Sequence, residues 1–124
     1  MAKLIIQTGT ENSILRTISA PVKSDEMKKS ILIAEDIVKH IKNPDNGGVG
    51  LAAPQIGINK RIIAVALMHT HDDENFKVVG MINPAITEHS DETCIDSEGC
   101  LSVPGEFGDV SRYKTVKLTY IDLK

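Results

Sequence analysis

The clearest hydrophobic pattern in the chain lies in its first half. Apolar residues recur at positions 27, 31, 34, 37, 38 and 41, at spacings of three and four. This spacing is typical of an amphipathic α-helix that buries one face. The pattern therefore predicts a helix over residues 25–42. The turn-forming residues 43–48 (Asn-Pro-Asp-Asn-Gly-Gly) end it.

The start of this helix carries helix-capping residue types. Ser24 is the predicted N-cap, and Asp25 and Glu26 follow it at the positive end of the helix dipole. Residues 1–23 are predicted to form an extended arm that ends at a proline turn. His40 falls on the polar side of the predicted helix, where we expect it to be solvated.

After residue 57 the pattern changes from helical to extended. Runs rich in β-branched residues predict strands over residues 61–68, 77–82, 85–88, 93–98 and 115–122. Asn83 and Pro84 are expected to break the second run from the third, and residues 72–75 to form a polar hairpin tip. In the last strand Val116, Leu118 and Tyr120 share one face. One helix followed by strands of antiparallel character predicts the α+β class.

Size and charge narrow the classes of protein that fit. The 124 residues suit a single domain, residues 1–124, with its own hydrophobic core. A net charge of −3 argues against a nucleic-acid partner, which would require clustered Lys and Arg. The apolar runs are too short to span a membrane. Two cysteines are too few for a disulfide scaffold, so we expect a reduced, cytoplasmic protein.

Two segments carry the candidate chemistry. The glycine segment is residues 48–55 (Gly-Val-Gly-Leu-Ala-Ala-Pro-Gln), in which small residues permit a close backbone approach and Gln55 offers one amide. The cysteine segment is residues 98–105 (Glu-Gly-Cys-Leu-Ser-Val-Pro-Gly). We expect the two segments to meet in space. The glycine segment also matches G-x-G-x-x-A formally, but it follows a helix and a turn instead of a strand, which argues against dinucleotide binding.

The cysteine itself has three interpretations from chemistry alone. Cys100 fits a small buried hydrophobe, a nucleophile or a metal ligand that needs histidines from elsewhere. His69 and His71 have a spacing that suits metal chelation, although the acidic residues after them favour an exposed hairpin tip. His89 lies in a polar turn without a special setting.

A charged pair is predicted to support the cysteine segment. Glu98 beside a glycine-flanked cysteine is costly to bury without a cation, and Arg112 offers a bidentate partner. We expect the two to pair and to hold the segment rigid. Two independent surface charges are the alternative.

Together these segments resemble the peptide deformylase family. Residues 48–55 look like its G-x-G-x-A-A-x-Q motif, and residues 98–102 look like its E-G-C-x-S motif. The surroundings of both motifs agree, and the similarity covers essentially the whole chain. The resemblance implies an α+β fold of antiparallel sheets packed on one long N-terminal helix. It also implies a metal-dependent hydrolase that removes the formyl group from the N-terminal methionine of nascent chains.

The family resemblance assigns roles to residues of both segments. Cys100 would ligate a divalent metal, iron or zinc in that family. The Gln55 amide and the Leu101 backbone N–H would stabilise the oxyanion formed from the formyl carbonyl. The substrate peptide would lie as an added strand along a surface formed by four residues. These residues are Gly48, Val49, Gly50 and Gly99.

The chain departs from the family pattern in one respect. The family's His-Glu-x-x-His motif, which supplies two metal ligands and a general base on a C-terminal helix, does not occur in this sequence. We therefore expect a C-terminally short domain that binds metal weakly and has no significant deformylase activity alone. The alternatives are a non-catalytic module that binds formyl-Met or nascent-peptide N-termini and an unrelated small α+β adaptor. An uncovered apolar face is expected to favour a homodimer.

Overall fold

The computed structural model describes residues 4–68 and 76–123. Its two α-helices are α1 (Ser13–Arg16) and α2 (Met27–Lys42), and its 3-10 turns are Ser24–Glu26, Pro44–Asn46 and Ala53–Ile56. Its strands are β1 (Gly50–Ala52), β2 (Ile62–Leu67), β3 (Lys77–His89), β4 (Thr93–Cys100), β5 (Val103–Tyr113) and β6 (Val116–Ile121). None of the helices within these ranges is long and apolar enough to cross a membrane.

The strands form two antiparallel sheets. One has the order β1-β2-β3-β6, and the other pairs β4 with β5. The predicted α+β class, with antiparallel sheets and one long helix, is confirmed. In the described residues β1 is an edge strand, so one side of its backbone has no strand partner.

The core lies between α2 and the larger sheet. Ala34, Ile37 and Ile41 project from one face of α2, as the hydrophobic spacing predicts, and are buried against β1, β2 and β3. On the sheet side, Ile62 and Ile82 are buried completely. This packing places β1 against α2.

The amino-terminal part of the chain differs from the prediction. Residues 13–16 form the helical turn α1 within the predicted extended arm. Ser24 is not an N-cap, because it lies inside a 3-10 turn, where its carbonyl accepts from the Met27 N–H. The Glu26 carboxylate instead accepts from the Lys23 N–H and pairs with Lys60. This ion pair and hydrogen bond lower the pKa of Glu26 and define the entry to α2.

The prediction for His40 was also wrong. His40 is buried, because it follows Ile37 by three residues and so lies at the edge of the buried stripe. The Asn46 side chain donates to the His40 carbonyl, which ties the loop after the helix to its last turn.

A single strand replaces the two predicted strands around Asn83 and Pro84. β3 runs continuously from Lys77 to His89, with a register shift after Ile82. Asn83 adopts a left-handed φ of 52°. Its side chain accepts from the Val22 N–H and donates to the Val22 carbonyl. The proline is tolerated because it sits at this bulge.

β5 is a strand that the local sequence pattern does not predict. Val103–Tyr113 contains Pro104, Gly105 and Gly108, and such residues indicate a loop when read locally. Pairing with the whole length of β4 makes this segment a strand. The hairpin tip predicted for residues 72–75 lies outside the described residues.

Candidate active site

The glycine segment and the cysteine segment lie against each other, as predicted. The Gln55 Nε2 atom is 3.4 Å from the Cys100 Sγ and 3.2 Å from the Ser102 Oγ. Gln55 lies in the 3-10 turn that follows β1, whereas Cys100 ends β4 and Ser102 lies in the turn before β5. The fold therefore brings one amide against the end of the β4–β5 hairpin.

The oxygen of the Gln55 amide is held by its own segment. The Gln55 Oε1 accepts a hydrogen bond of 2.9 Å from the Ala52 N–H. Since a backbone N–H can only donate, the oxygen must face Ala52 and the NH₂ group must face Cys100 and Ser102. The amide thus presents hydrogen-bond donors, not an acceptor, to the cysteine segment.

A cavity of about 500 Å³ lies between the two segments, and we call it the cleft. Its walls are mainly apolar, and Glu106 is the charged residue among them. The cleft is lined by Gly48, Val49, Gly50, Gly99, Cys100, Leu101, Pro104, Gly105, Glu106 and Phe107. Six of the predicted site residues are in this set. Gln55 is not among the lining residues. Its amide contacts Cys100, which does line the cleft.

Two glycines permit close side-chain contacts at the cleft, one between its walls and one within the β4–β5 wall. Gly48 has a φ of +85°, and a Cβ there would lie 3.1 Å from the Leu101 Cδ1. A Cβ on Gly99 would lie 2.6 Å from the Phe107 Cε1. Larger residues would displace the Leu101 and Phe107 side chains. Gly48 therefore lets the two walls approach each other, and Gly99 makes space for Phe107 on its own wall.

At the rim of the cleft next to β1, backbone groups are available to bind a ligand. The Val49 carbonyl accepts from the Ala66 N–H on the β2 side. The Val49 side chain is 57% exposed. On the other side of β1 the described residues provide no further strand. An extended peptide is the ligand class that adds to such an edge.

Glu98 and Arg112 form a bidentate ion pair. The Arg112 Nε and Nη2 donate to the two Glu98 carboxylate oxygens at 2.5 and 2.7 Å. These hydrogen bonds lower the pKa of Glu98 and raise the pKa of Arg112. The pair bridges β4 and β5 just before Cys100, although neither residue lines the cleft. Its role in holding the cysteine segment rigid stays a prediction.

The amino-terminal segment contributes contacts that sequence reasoning missed. The Gln7 N–H donates to the Gln55 carbonyl at 2.6 Å, and the Gly9 N–H donates to the Ser102 carbonyl at 2.9 Å. One short stretch of backbone therefore holds both walls. The sequence carries no signal for this arrangement, because backbone groups make both bonds.

The residues of the cleft do not fit a metal ion by themselves. Cys100 is exposed, so its interpretation as a buried hydrophobe is wrong. Residues 4–68 and 76–123 contain no group of three His, Cys, Asp or Glu side chains that could hold a metal ion. His89 stacks on Tyr113 with ring centroids 3.7 Å apart. A single cysteine sulfur without two further protein ligands does not fit a catalytic metal site. His69 and His71 lie outside the described residues.

The sequence is similar to proteins of one known family. A family model described as Polypeptide deformylase matches residues 2–124. The peptide deformylase of Finegoldia magna is 45% identical over 119 residues, which are 94% of this chain and 68% of that protein. The peptide deformylase of a Synechocystis strain is 48% identical over 75 residues, which are 60% of this chain and only 39% of that protein.

A solved structure agrees with this family and with the fold. The chain resembles the class I type b peptide deformylase from Acinetobacter baumannii in its Met-Ala-Ser-bound crystal structure, with a TM-score of 0.82 and 38% identity. The match covers 98% of this chain and 78% of that one. The family match over residues 2–124 and the shared fold lead to one conclusion: this chain belongs to the polypeptide deformylase family.

Proposed function

We propose that this chain forms the peptide-binding side of a deformylase site and holds the N-formylmethionyl end of a nascent protein. The observation that carries the proposal is the contact of the Gln55 amide with the Cys100 Sγ at 3.4 Å. It joins the two segments by which the sequence resembles the family. The interpretation as an unrelated α+β adaptor is wrong, because the family model matches residues 2–124.

The residues of the cleft have distinct proposed roles. The edge of β1 that has no strand partner among the described residues contains Gly50 and follows Gly48 and Val49, and it would bind the peptide backbone as an added strand. Gly99 would form part of the opposite wall, where its missing side chain makes space for Phe107 beside the peptide. The apolar walls suit a methionine side chain, since burial of apolar surface favours binding.

The formyl group would lie at the inner end of the cleft. There the Gln55 NH₂ group and the Leu101 backbone N–H would donate hydrogen bonds to the formyl oxygen. Donors fixed in advance are effective because they need no reorganisation when charge develops on that oxygen. The Glu98–Arg112 pair would keep the wall that carries Leu101 in place.

Hydrolysis requires more than these residues provide. A deformylase metal would supply an activated water, and Cys100 is the proposed ligand from this chain. The two histidine ligands and the general base of the His-Glu-x-x-His motif have no counterpart in the 124 residues. We therefore propose that this chain by itself binds formylated peptides, holds iron or zinc only weakly and does not hydrolyse its ligand.

A peptide titration followed by NMR tests the proposal. Addition of formyl-Met-Ala-Ser to the ¹⁵N-labelled chain is expected to shift the Gln55 side-chain NH₂ and the Leu101 N–H signals. Unformylated Met-Ala-Ser is the matched control, and it should shift β1 signals but have little effect on those two. Formate measured in the same samples, with and without added Zn²⁺, should stay at background.

Two results would contradict this proposal. Equal shifts with both peptides would show that the formyl group is not recognised. Formate release that depends on Zn²⁺ would show that this chain alone completes the catalytic centre.

Two further expectations belong to this proposal. Nascent formylated chains are made in the cytoplasm, so a cytoplasmic location follows from the proposed ligand. Self-association stays a prediction that rests on exposed apolar side chains of neighbouring strands, such as Ile86, Val116 and Tyr120. Light scattering at increasing concentration is expected to show a dimer, and a constant monomer mass would refute it.

A further inference from the structure

We propose that Ser102 is a positioning residue that sets which N–H of the Gln55 amide is presented to a ligand in the cleft. The inference rests on the proposed function and adds a residue to it. Ser102 does not line the cleft, and it would act on the ligand only through Gln55.

Each polar atom of the Gln55 amide has a partner. The Oε1 accepts from the Ala52 N–H at 2.9 Å. The Nε2 lies 3.2 Å from the Ser102 Oγ and 3.4 Å from the Cys100 Sγ. An amide nitrogen carries two hydrogens, so one is directed to the hydroxyl and the other to the sulfur. A ligand oxygen can gain a donor only by replacing one of these two acceptors.

The two acceptors are not equivalent. A hydroxyl oxygen is a good hydrogen-bond acceptor, whereas thiol sulfur is a weak one. Ser102 is 5% exposed, whereas Cys100 is exposed and lines the cleft. Loss of the buried bond would leave polar groups without partners, which is costly. A formyl oxygen therefore accepts a hydrogen bond from the N–H that faces Cys100, and the hydrogen bond to Ser102 persists.

The backbone of Ser102 is held independently of this interaction. The Ser102 carbonyl accepts from the Gly9 N–H at 2.9 Å, so the amino-terminal segment fixes the backbone beneath the side chain. Removal of the hydroxyl should then free the Gln55 amide without moving the wall. Ala52 alone would hold the amide at its oxygen, and the whole amide plane could rotate away from the orientation that serves the cleft.

The ligand-free protein provides the first test. In wild type the two Gln55 side-chain N–H signals should be well separated and slow to exchange with water. In Ser102→Ala their separation should shrink and their exchange should accelerate, while the Gly9 N–H signal stays unchanged. Ser102→Thr, which keeps the hydroxyl, should resemble wild type. Ser97→Ala, an exposed serine on β4, serves as the control for loss of a hydroxyl.

Peptide binding provides the second test. Ser102→Ala should weaken binding of formyl-Met-Ala-Ser by about 2- to 10-fold, the value of one ordinary hydrogen bond. Binding of unformylated Met-Ala-Ser should not change. A loss that is equal for both peptides would indicate a general structural defect instead.

The outcomes separate this inference from the proposed function. Unchanged Gln55 signals in Ser102→Ala would overturn the positioning role, whatever the peptides do. Changed signals with undiminished preference for the formylated peptide would overturn it as well. Changed signals in a chain whose wild type binds neither peptide would support positioning by Ser102 and refute the proposed function.

Discussion

Replacement of Gln55 by Glu is expected to abolish the preference of the chain for a formylated peptide. The carboxylate keeps an oxygen for the Ala52 N–H, so the turn after β1 should persist. It has no hydrogen to donate, and it would bring a negative oxygen towards the formyl oxygen. Loss of the donor and this repulsion together predict at least about a tenfold weaker affinity for formyl-Met-Ala-Ser. Isothermal titration with both peptides measures the effect.

A second variant separates the two causes. Gln55→Met has a similar length and no charge, so it removes the donor without the repulsion, and it also removes the oxygen that accepts from the Ala52 N–H. Both variants should therefore lose the preference, and Gln55→Glu should lose more affinity. A Gln55→Met protein that still prefers the formylated peptide would show that the amide is not the donor.

Ile37→Ala is expected to cause a large loss of stability. Ile37 is 0% exposed and lies in the centre of the core between α2 and the larger sheet. Truncation of a buried Ile to Ala leaves a cavity and typically costs about 2 to 5 kcal/mol. A domain of ordinary stability has only about 5 to 15 kcal/mol in total. Urea unfolding followed by circular dichroism measures the change.

Leu32→Ala on the same helix is the matched control. Leu32 is 62% exposed, so its truncation removes little buried surface. Substitutions at such positions usually change the free energy of unfolding by no more than about 0.5 kcal/mol. Similar losses for the two variants would mean that α2 does not pack on the sheet in the way described.

The parts of the fold that the sequence predicted are those with a local signal. The helix Met27–Lys42 was predictable because its buried face repeats within the segment itself. β2 was also predictable from its own residues, because they form a continuous apolar run. The meeting of Gln55 and Cys100 was predictable from the two segments together, although the roles of both residues stay predictions.

The remainder depends on contacts between distant parts of the chain. β5 becomes a strand only because β4 pairs with it, despite its glycines and Pro104. Asn83 is accommodated in β3 by hydrogen bonds with Val22, which the local pattern cannot reveal. Gln7 and Gly9 donate backbone hydrogen bonds to Gln55 and Ser102, and residue types do not predict such bonds. Such features require tertiary structure.

The bond between Gly9 and Ser102 has a consequence for how the protein is made. It joins residues from nearly opposite ends of the described chain, and closure of so long a loop is slow because its entropy must be overcome first. During translation the helix and its first strands can assemble early. The cleft can close only after the ribosome has released the β4–β5 hairpin, so binding competence should arise later in synthesis than the packing of α2 on the first strands.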